Sequence, residues 1–549
     1  MARGINIIYQ YIGGEDIVGI FPFHFSDLER RIFMRIIFTS DTHGHVYPVN
    51  YAKNSPENSG LFCVASQIKK DENTLVIDGG DSLQGTPLMS YYLEHKDEYD
   101  FNPMAEGFNE MGLDYYTLGN HDFNFGYEAI ADYVANMKAK LISANVEDLG
   151  GKLNIKKNVI HTMPDGTKVG ITAAVTGYVN VWEQQEHLTL LKVSDPVEAL
   201  RQQYDELDGK CDLKVAIYHG GFEEDLKTGA LLSKTTENQA CKIAREMGYD
   251  ILLTGHQHIA VPGVEIEGTY GVQPPSNATK YCLLNVDKNG QHFEISSELV
   301  TLDSPDERCQ KIIDDHGFMK ELTDKIQVWL DEPIGCLEKE IAPEPKLDAA
   351  LHGSKVAAIF NQVQLDYTGA DFSCTSLAND PLGLKKDITV RDVLGIYQFA
   401  NTVEVKEVTK AVLKAALERC AEYFDYDKET GEVSVSKTFL QPKIEHYNYD
   451  YYAGLEYEYD LSRPIGDRVV MLRKLDGTEL LDDEKYTLVT SNYRATGTGG
   501  YQCIGDCKSV GSYSDEMPDL LIGFIRKNSP VKEVSNGKFR VTDGSGKIF

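Results

Sequence analysis

The chain has 549 residues, of which 42% are hydrophobic and 10% aromatic, so it is long enough for two or more domains with substantial cores. Its 85 acidic and 54 basic side chains give a net charge of −31, which disfavours a nucleic-acid polymer or an anionic membrane as a partner. A small anionic ligand remains compatible with this charge, because bound divalent cations reverse the sign of the field inside a pocket.

Residues 1–33 differ from the sequence that follows, because a regular strand-plus-loop pattern begins only at Met34. We therefore expect 1–33 to be an unstructured or non-native extension, with Met34 as the natural start. Glu15, Asp16 and Asp27 interrupt its apolar stretches, so no export signal is predicted, and no run approaches membrane-spanning length. The cytoplasm is the expected location.

The ten cysteines are scattered and form no CxxC pair, a distribution that favours reduced thiols. Cys503 and Cys507 are the closest pair, and a bridge between them is the alternative.

Between residues 34 and 304, short apolar runs alternate with helical patterns, which predicts a layered α/β domain. Each run is followed within a few residues by Asp, Asn or His. Neighbouring strands would bring these loops together, so the sequence predicts one shared site. The alternative, that polar residues simply follow strands, does not explain the residue types. The runs are Ile36–Phe38, Leu75–Ile77, Tyr115–Leu118, Val215–Ile217 and Ile251–Leu253.

Residues 305–345 are predicted to connect two domains. Apolar residues at helical spacing indicate a helix from Pro305 to Leu330, and the proline-rich stretch Ile341–Pro345 indicates a boundary. The remaining segment, 346–549, is predicted to form a second, α+β domain.

The polar residues after the runs have the chemistry of a site for two divalent cations. Carboxylate and amide oxygens combined with imidazoles suit Mn, Zn, Fe or Co, and no cysteine takes part. Any one short motif of this kind is more often an incidental surface pair. The candidate ligands are Asp41, His43, Asp81, Asn120, His219, His256 and His258.

In their order along the chain, the motifs Asp-x-His, Gly-Asp, Gly-Asn-His-Asp, His and Gly-His-x-His resemble those of the calcineurin-like metallophosphoesterases. The resemblance implies a four-layer α/β/β/α domain in which water attacks phosphorus. It also implies two ligand groups that share Asp81, which are Asp41, His43, Asp81 and His258 for one cation and Asp81, Asn120, His219 and His256 for the other.

His121 and Asp122 follow the ligand Asn120 in the Gly-Asn-His-Asp motif. We predict that His121 stabilises charge in the transition state and protonates the leaving oxygen. A purely structural imidazole is the alternative. Asp122 is predicted to orient the loop or the substrate.

The second domain resembles that of the 5′-nucleotidase and 2′,3′-cyclic nucleotide phosphodiesterase family in the stretches Gly395–Thr402, Gly454–Tyr457 and Ser491–Gly497. The resemblance implies that Phe399 and Tyr493 stack on a nucleobase and that Asn401 and Gly454 lie near the substrate. Taken alone, both aromatics would be ordinary core or rim residues.

Three departures from the 5′-nucleotidase pattern stand out. No arginine occurs between Glu332 and Val390, although that branch uses arginines there to bind phosphate or ribose. The Gly497–Gly500 loop lacks an acidic residue, and Asn124 replaces the carboxylate that pairs with the catalytic histidine. Together with the stretch Thr236–Asn238, these features resemble the cyclic-nucleotide branch.

The first hypothesis is therefore hydrolysis of 2′,3′-cyclic mononucleotides and 3′-nucleotides, with a small-molecule nucleotide as the partner. A 5′-nucleotidase or UDP-sugar hydrolase is the alternative within the family. A catalytically silent nucleotide-binding protein is the alternative from another class. The sequence leaves the oligomeric state open.

Overall fold

The computed structural model describes residues 34–549, apart from 232–234, 290, 291, 381, 398, 400 and 442. The expected extension 1–33 lies outside the described residues. The strands of the first domain are β1 (Met34–Thr39), β2 (Val49–Asn50), β3 (Ser55–Pro56), β4 (Thr74–Asp78), β5 (Tyr115–Tyr116), β6 (Lys140–Leu141), β7 (Val146–Asp148), β8 (Asn158–Thr162), β9 (Lys168–Val175), β10 (Leu191–Val193), β11 (Leu213–His219), β12 (Ile251–Thr254), β13 (Val261–Ile266), β14 (Thr269–Gln273), β15 (Lys280–Asn289) and β16 (His292–Thr301). Its helices and those of the connecting segment are α1 (Leu61–Gln67), α2 (Pro87–His95), α3 (Pro103–Met111), α4 (Gly126–Asn136), α5 (Val179–Trp182), α6 (Pro196–Leu207), α7 (Ala240–Met247), α8 (Glu307–Asp315) and α9 (Lys320–Leu330).

Two six-stranded sheets form the centre of this domain. Their strand orders are β16-β15-β1-β4-β5-β6 and β13-β14-β12-β11-β9-β8. β1 pairs in parallel with β4, and β11 pairs in parallel with β9 and β12. The near-continuous Val, Ile and Leu runs of these strands are typical of parallel strands that are buried on both faces.

Alternate residues of each central strand face different layers, as the two-residue period of a strand requires. Ile36 and Phe38 of β1 share a buried cluster with Ile217 and Leu253 of the other sheet. Ile37, between them, packs among the helices on the outer side. On the opposite side, α6 and α7 cover Ala216 and Tyr218. The layer order is therefore α/β/β/α, which confirms the predicted fold.

The connecting segment forms two helices, α8 and α9, where the sequence indicated one. The interruption falls at His316, whose Nδ1 lies 2.9 Å from the Ile312 oxygen, and at Gly317, a poor helix former. Cys309 of α8 and Leu322 of α9 are fully buried in the main core. The segment is therefore packed along its length.

The second domain mixes helices with a five-stranded sheet, β23-β18-β26-β20-β27, and a three-stranded sheet, β25-β24-β28. Its strands are β17 (Pro333–Cys336), β18 (Phe372–Ser376), β19 (Asp387–Thr389), β20 (Thr402–Val408), β21 (Phe424–Tyr426), β22 (Val433–Val435), β23 (Asp450–Ala453), β24 (Leu455–Asp460), β25 (Val469–Lys474), β26 (Tyr486–Ser491), β27 (Ser509–Glu516) and β28 (Lys538–Thr542). Its helices are α10 (Lys346–His352), α11 (Lys355–Thr368), α12 (Val390–Ile396), α13 (Lys410–Ala421), α14 (Asn492–Ala495), α15 (Gln502–Gly505) and α16 (Met517–Asn528).

Arg391 of α12 ties the second domain to the first. Its guanidinium donates to Asp331 Oδ1 and Gln327 Oε1 of the connecting segment, each at 2.9 Å. It also donates to the backbone carbonyl oxygen of Tyr51 in the first domain. All ten cysteines are thiols, including Cys503 and Cys507. Among the described residues, no helix combines the length and apolarity needed to cross a bilayer.

Candidate metal centre

The five loops with candidate ligands converge where the carboxyl ends of β1, β4, β5, β11 and β12 meet. Asp41, His43 and Asp81 follow strands of one sheet, whereas His219 ends β11 of the other. Parallel pairing within each sheet places these strand ends side by side, and the packing of the two sheets brings the two sets together. The site predicted from widely separated motifs is therefore a single cluster.

The first ligand group contains Asp41, His43, Asp81 and His258, whose candidate ligand atoms all lie within 4.8 Å of one another. The Nε2 atoms of His43 and His258 are 2.9 Å apart, and His258 Nε2 is 3.4 Å from Asp41 Oδ1. His43 Nε2 lies 3.9 Å from Asp81 Oδ2. This group matches the first predicted set.

The second group shares Asp81 and adds His219 and His256, again with ligand atoms within 4.8 Å. His219 Nε2 is 3.2 Å from Asp81 Oδ2. The amide oxygen of Asn120 lies 2.8 Å from His256 Nδ1, which places the remaining member of the predicted set beside this group.

The unpaired atoms of the cluster fit cations. The Gly79 backbone oxygen lies 2.7 Å from His219 Nδ1 and only accepts, so Nδ1 carries a proton and, in the neutral imidazole, Nε2 presents a lone pair. Among the described residues, Asp81 Oδ2 and His219 Nε2 are both buried without a hydrogen-bond partner. In the neutral imidazole these two atoms are facing acceptors, an arrangement that is costly at this depth unless a cation or a proton lies between them.

The backbone at the ligands is held in an uncommon conformation. Positive φ angles occur at Asp41 (55°), His43 (46°), Asp81 (60°), His256 (73°) and His258 (57°). Such angles cost non-glycine residues about 1–3 kcal/mol each and persist where the surrounding structure enforces them, commonly at functional sites. Gly80, between these loops, has a φ of 96°, and a Cβ there would lie 2.2 Å from the Gly119 nitrogen.

Without cations, charge attraction dominates the ionisation of the shared ligand. Burial opposes the charged forms of both Asp81 and His219, but their mutual attraction lowers the pKa of Asp81 and raises the pKa of His219 to about 10. Burial and the charge of His258 instead lower the pKa of His43 to about 3, so its imidazole is neutral and able to bind a metal.

His121 lies beside the first group, with its ring centroid 5.6 Å from that of His43, and its backbone N–H donates to Asp81 Oδ1 at 2.7 Å. Its Nδ1 is 2.8 Å from Asn124 Oδ1. The ring therefore lies next to the cluster and is held by the residue that replaces the expected carboxylate.

Asp122, which was predicted to orient the loop or the substrate, contacts the backbone of the two ligand loops. It is fully buried, and its oxygens accept hydrogen bonds from the backbone nitrogens of Gly119, Asp81, Ser82 and Leu83. Burial and the charge of Asp81 raise the pKa of Asp122 to about 6. We assign it a positioning role, since it ties the Asp81 loop to the Asn120 loop.

Glu237 and Trp182 contact His256 and were not identified as site residues from the sequence. Glu237 Oε1 lies 3.0 Å from His256 Nε2, which leaves Nδ1 facing Asn120. The Trp182 ring stacks on the His256 ring at 5.4 Å, and its Nε1 donates to Thr498 Oγ1 of the second domain at 3.1 Å. The stretch Thr236–Asn238 was the available signal for Glu237, whereas nothing in the sequence marked Trp182.

The residues predicted to bind the nucleotide have varied surroundings. Phe399 is 41% exposed, as a stacking surface requires. Tyr493 lies within electrostatic reach of Glu237, and burial raises the pKa of its hydroxyl. Asn401 donates to the Tyr397 hydroxyl at 3.3 Å.

Gly454 lies in the turn between β23 and β24, where the backbone explains the glycine. Its φ is 82°, and a Cβ there would meet the Asp371 oxygen at 2.7 Å. The turn geometry by itself accounts for the glycine, and its place near the substrate stays a prediction.

Comparison with known proteins identifies the two domains. Residues 34–260 match the calcineurin-like phosphoesterase family, and residues 333–506 match the C-terminal domain of 5′-nucleotidases. A solved structure from Staphylococcus aureus, described as a candidate 5′-nucleotidase in complex with alpha-ketoglutarate, is 30% identical, with a TM-score of 0.82 over 92% of this chain and 99% of that one. The chain belongs to the 5′-nucleotidase family of metallophosphoesterases.

Two curated relatives extend along most of this family member. The 2′,3′-cyclic-nucleotide 2′-phosphodiesterase/3′-nucleotidase of Haemophilus influenzae is 26% identical over 90% of this chain and 85% of the relative. The trifunctional nucleotide phosphoesterase of Bacillus subtilis is 23% identical over 94% of this chain, which spans only 39% of that protein. The predicted enzyme class, a metallophosphoesterase acting as a nucleotidase or phosphodiesterase, is confirmed.

Proposed function

We propose that this enzyme uses two divalent cations to hydrolyse 2′,3′-cyclic mononucleotides and the 3′-nucleotides they yield. The choice of substrate rests on the absence of arginine from one stretch of the second domain. The interval between Glu332 and Val390 contains none. The similarity to the Haemophilus influenzae enzyme supports the same choice.

Three arginines elsewhere in this domain form hydrogen bonds with other parts of the protein. Besides Arg391, which fastens the domains together, Arg494 is buried against Asp450, with Nε–Oδ2 at 2.9 Å, and donates to the Tyr447 oxygen at 2.9 Å. Arg419 donates to the Gly499 oxygen at 2.9 Å and to Glu422. These guanidinium groups do not offer a bidentate fork to a phosphate.

Lys443 supplies a cation from the second domain instead. Burial lowers the pKa of Lys443, while the nearby carboxylates of Glu445, Glu237, Asp41 and Asp81 oppose this shift. A lysine ammonium acts as a point charge without the planar preference of arginine. Such a charge suits a phosphate that is first a cyclic diester and then a monoester, since the two present different oxygens.

When bound in the two ligand groups, divalent cations supply Lewis-acid polarisation of the phosphate and activation of water. Residues of the chain protonate the leaving group and bind the base. His121 protonates the departing ribose oxygen, first O2′ of the cyclic substrate and then O3′ of the resulting 3′-nucleotide. Phe399 and Tyr493 hold the base by stacking, which tolerates different bases.

Phosphate release from Mn-loaded enzyme given 2′,3′-cyclic AMP, 3′-AMP, 5′-AMP and a UDP-sugar tests the proposal. We expect turnover of the first two, with 3′-AMP appearing before adenosine when the cyclic substrate is used. Variants Asp81→Ala and His121→Ala provide inactive controls.

The alternatives predict other results. Faster turnover of 5′-AMP or the UDP-sugar would establish the 5′-nucleotidase reading and overturn the proposed substrate. Binding of nucleotides by calorimetry without phosphate release above the His121→Ala control would establish a silent binding protein.

A further inference from the structure

We infer that Glu183, in the first domain, is the positioning residue that sets the orientation of the catalytic histidine's partner. Glu183 Oε2 accepts a hydrogen bond from Asn124 Nδ2 at 2.8 Å, and Asn124 Oδ1 lies 2.8 Å from His121 Nδ1. The inference rests on the proposed function of His121 as proton donor to the leaving oxygen.

An asparagine by itself is an ambiguous partner for a histidine. Its amide presents either an oxygen, which accepts, or an NH₂ group, which donates, and rotation by half a turn exchanges them. A carboxylate only accepts, so Glu183 selects the orientation in which Nδ2 faces Glu183 and Oδ1 faces His121. The proton of the imidazole is then fixed on Nδ1, and Nε2 remains for exchange with the substrate.

The Glu183 carboxylate is itself held in place, so it fixes the orientation of the Asn124 amide. Its side chain is only 5% exposed. The other carboxylate oxygen, Oε1, accepts from the Gln184 backbone nitrogen at 2.8 Å and lies 2.7 Å from His187 Nδ1. These contacts orient Oε2 toward Asn124. The carboxylate missing from position 124 is thus supplied by Glu183, with the amide of Asn124 as the link.

Exchanging the carboxylate of Glu183 and the amide of Asn124 tests this arrangement. Glu183→Gln removes the orienting charge, since a glutamine can present either end of its amide to Asn124. Asn124→Asp puts a carboxylate 2.8 Å from that of Glu183 and creates a like-charge contact. The double variant restores one unambiguous acceptor beside His121 without repulsion. Each single variant should therefore lower kcat, and the double variant should regain most of the loss.

The leaving group separates positioning from general damage. Each single variant should lower kcat for 3′-AMP about 5- to 50-fold, a part of the roughly 10²- to 10⁴-fold that general acid catalysis contributes, with a KM within about 2-fold of the wild-type value. Turnover of p-nitrophenyl phosphate should change by less than about 2-fold, because its leaving group needs little protonation. Glu186→Gln, on the exposed side of the same turn, is the matched control.

Two outcomes would overturn the inference: a double variant no more active than the poorer single variant, or equal losses on 3′-AMP and p-nitrophenyl phosphate. Misfolding of Glu183→Gln cannot imitate support, because Asn124→Asp would not rescue it. A wild-type preference for 5′-AMP would overturn the proposed substrate alone. The same comparison would then be made on 5′-AMP, whose leaving group is also a ribose alcohol.

Discussion

The ligand loops of the first domain and the nucleotide loops of the second differ in what holds their side chains. Asp41, Asp81 and His219 are at most 1% exposed, and backbone groups form hydrogen bonds with Asp81 and His219. Phe399, by contrast, is 41% exposed, and the Asn401 side chain donates a hydrogen bond to the Tyr397 hydroxyl. The candidate metal ligands are thus held in a rigid, buried setting, whereas the residues predicted to recognise the nucleotide include an exposed surface, which tolerates variation.

Removing support from the rigid frame should have the largest effect. Glu237→Gln weakens the contact that orients His256, and losses of this kind typically cost roughly 10- to 100-fold in metal affinity or activity. We expect activity at limiting Mn to fall by that factor and to recover with excess Mn. Mn titration of phosphate release measures this.

Glu206→Gln, on the exposed face of α6, is the control for that titration. Superimposable Mn curves for Glu237→Gln and the wild type would show that His256 is held without Glu237.

Loss of the hydrogen bond between Trp182 and Thr498, which joins the two domains, should lower activity less. Trp182→Phe keeps a ring on His256 but deletes the hydrogen bond to Thr498, a bond worth about 0.5–1.5 kcal/mol, so kcat/KM should fall roughly 2- to 10-fold through KM. Thr498→Val deletes the same bond from the other side. The double variant should be no worse than either single variant. Additive losses would mean that the bond does not couple the domains.

The smallest effect should be a change in thermal stability caused by Glu516, which lies near Glu94 of the first domain. Burial and the charges of Asp519 and Glu94 raise the pKa of Glu516 to about 7. The stability that Glu516 contributes is full below its unfolded pKa and is lost as pH rises through about 7. Glu516→Gln should therefore raise the Tm at pH 8 by roughly 1–3 °C and leave it unchanged at pH 4. A gain that is equal at both pH values would contradict this account.

The sequence predicted the metal half of the site well because cation binding needs particular atoms. Asp41, Asp81 and His219 follow apolar strands, so both the residue types and their meeting point could be inferred. The resemblance to the 5′-nucleotidase family also predicted the pairing of Asn124 with His121.

Contacts between distant segments were beyond the reach of sequence patterns. Glu183 reaches Asn124 across 59 positions, and Trp182 reaches Thr498 across 316. Both are ordinary residues at the end of a short helix, and only the packing of loops gives them a role. The division of the connecting helix at Gly317 was likewise hidden by apolar spacing that continues on both sides.

The central claim is that one cluster holds two cations that share Asp81. Phosphate release from 3′-AMP should be followed while chelator-treated enzyme is titrated with Mn and bound Mn is counted per chain. We predict two bound cations, turnover that rises only as the second binds, and loss of both features in Asp81→Asn. Full turnover with one cation per chain, or activity that survives the chelator, would contradict the claim.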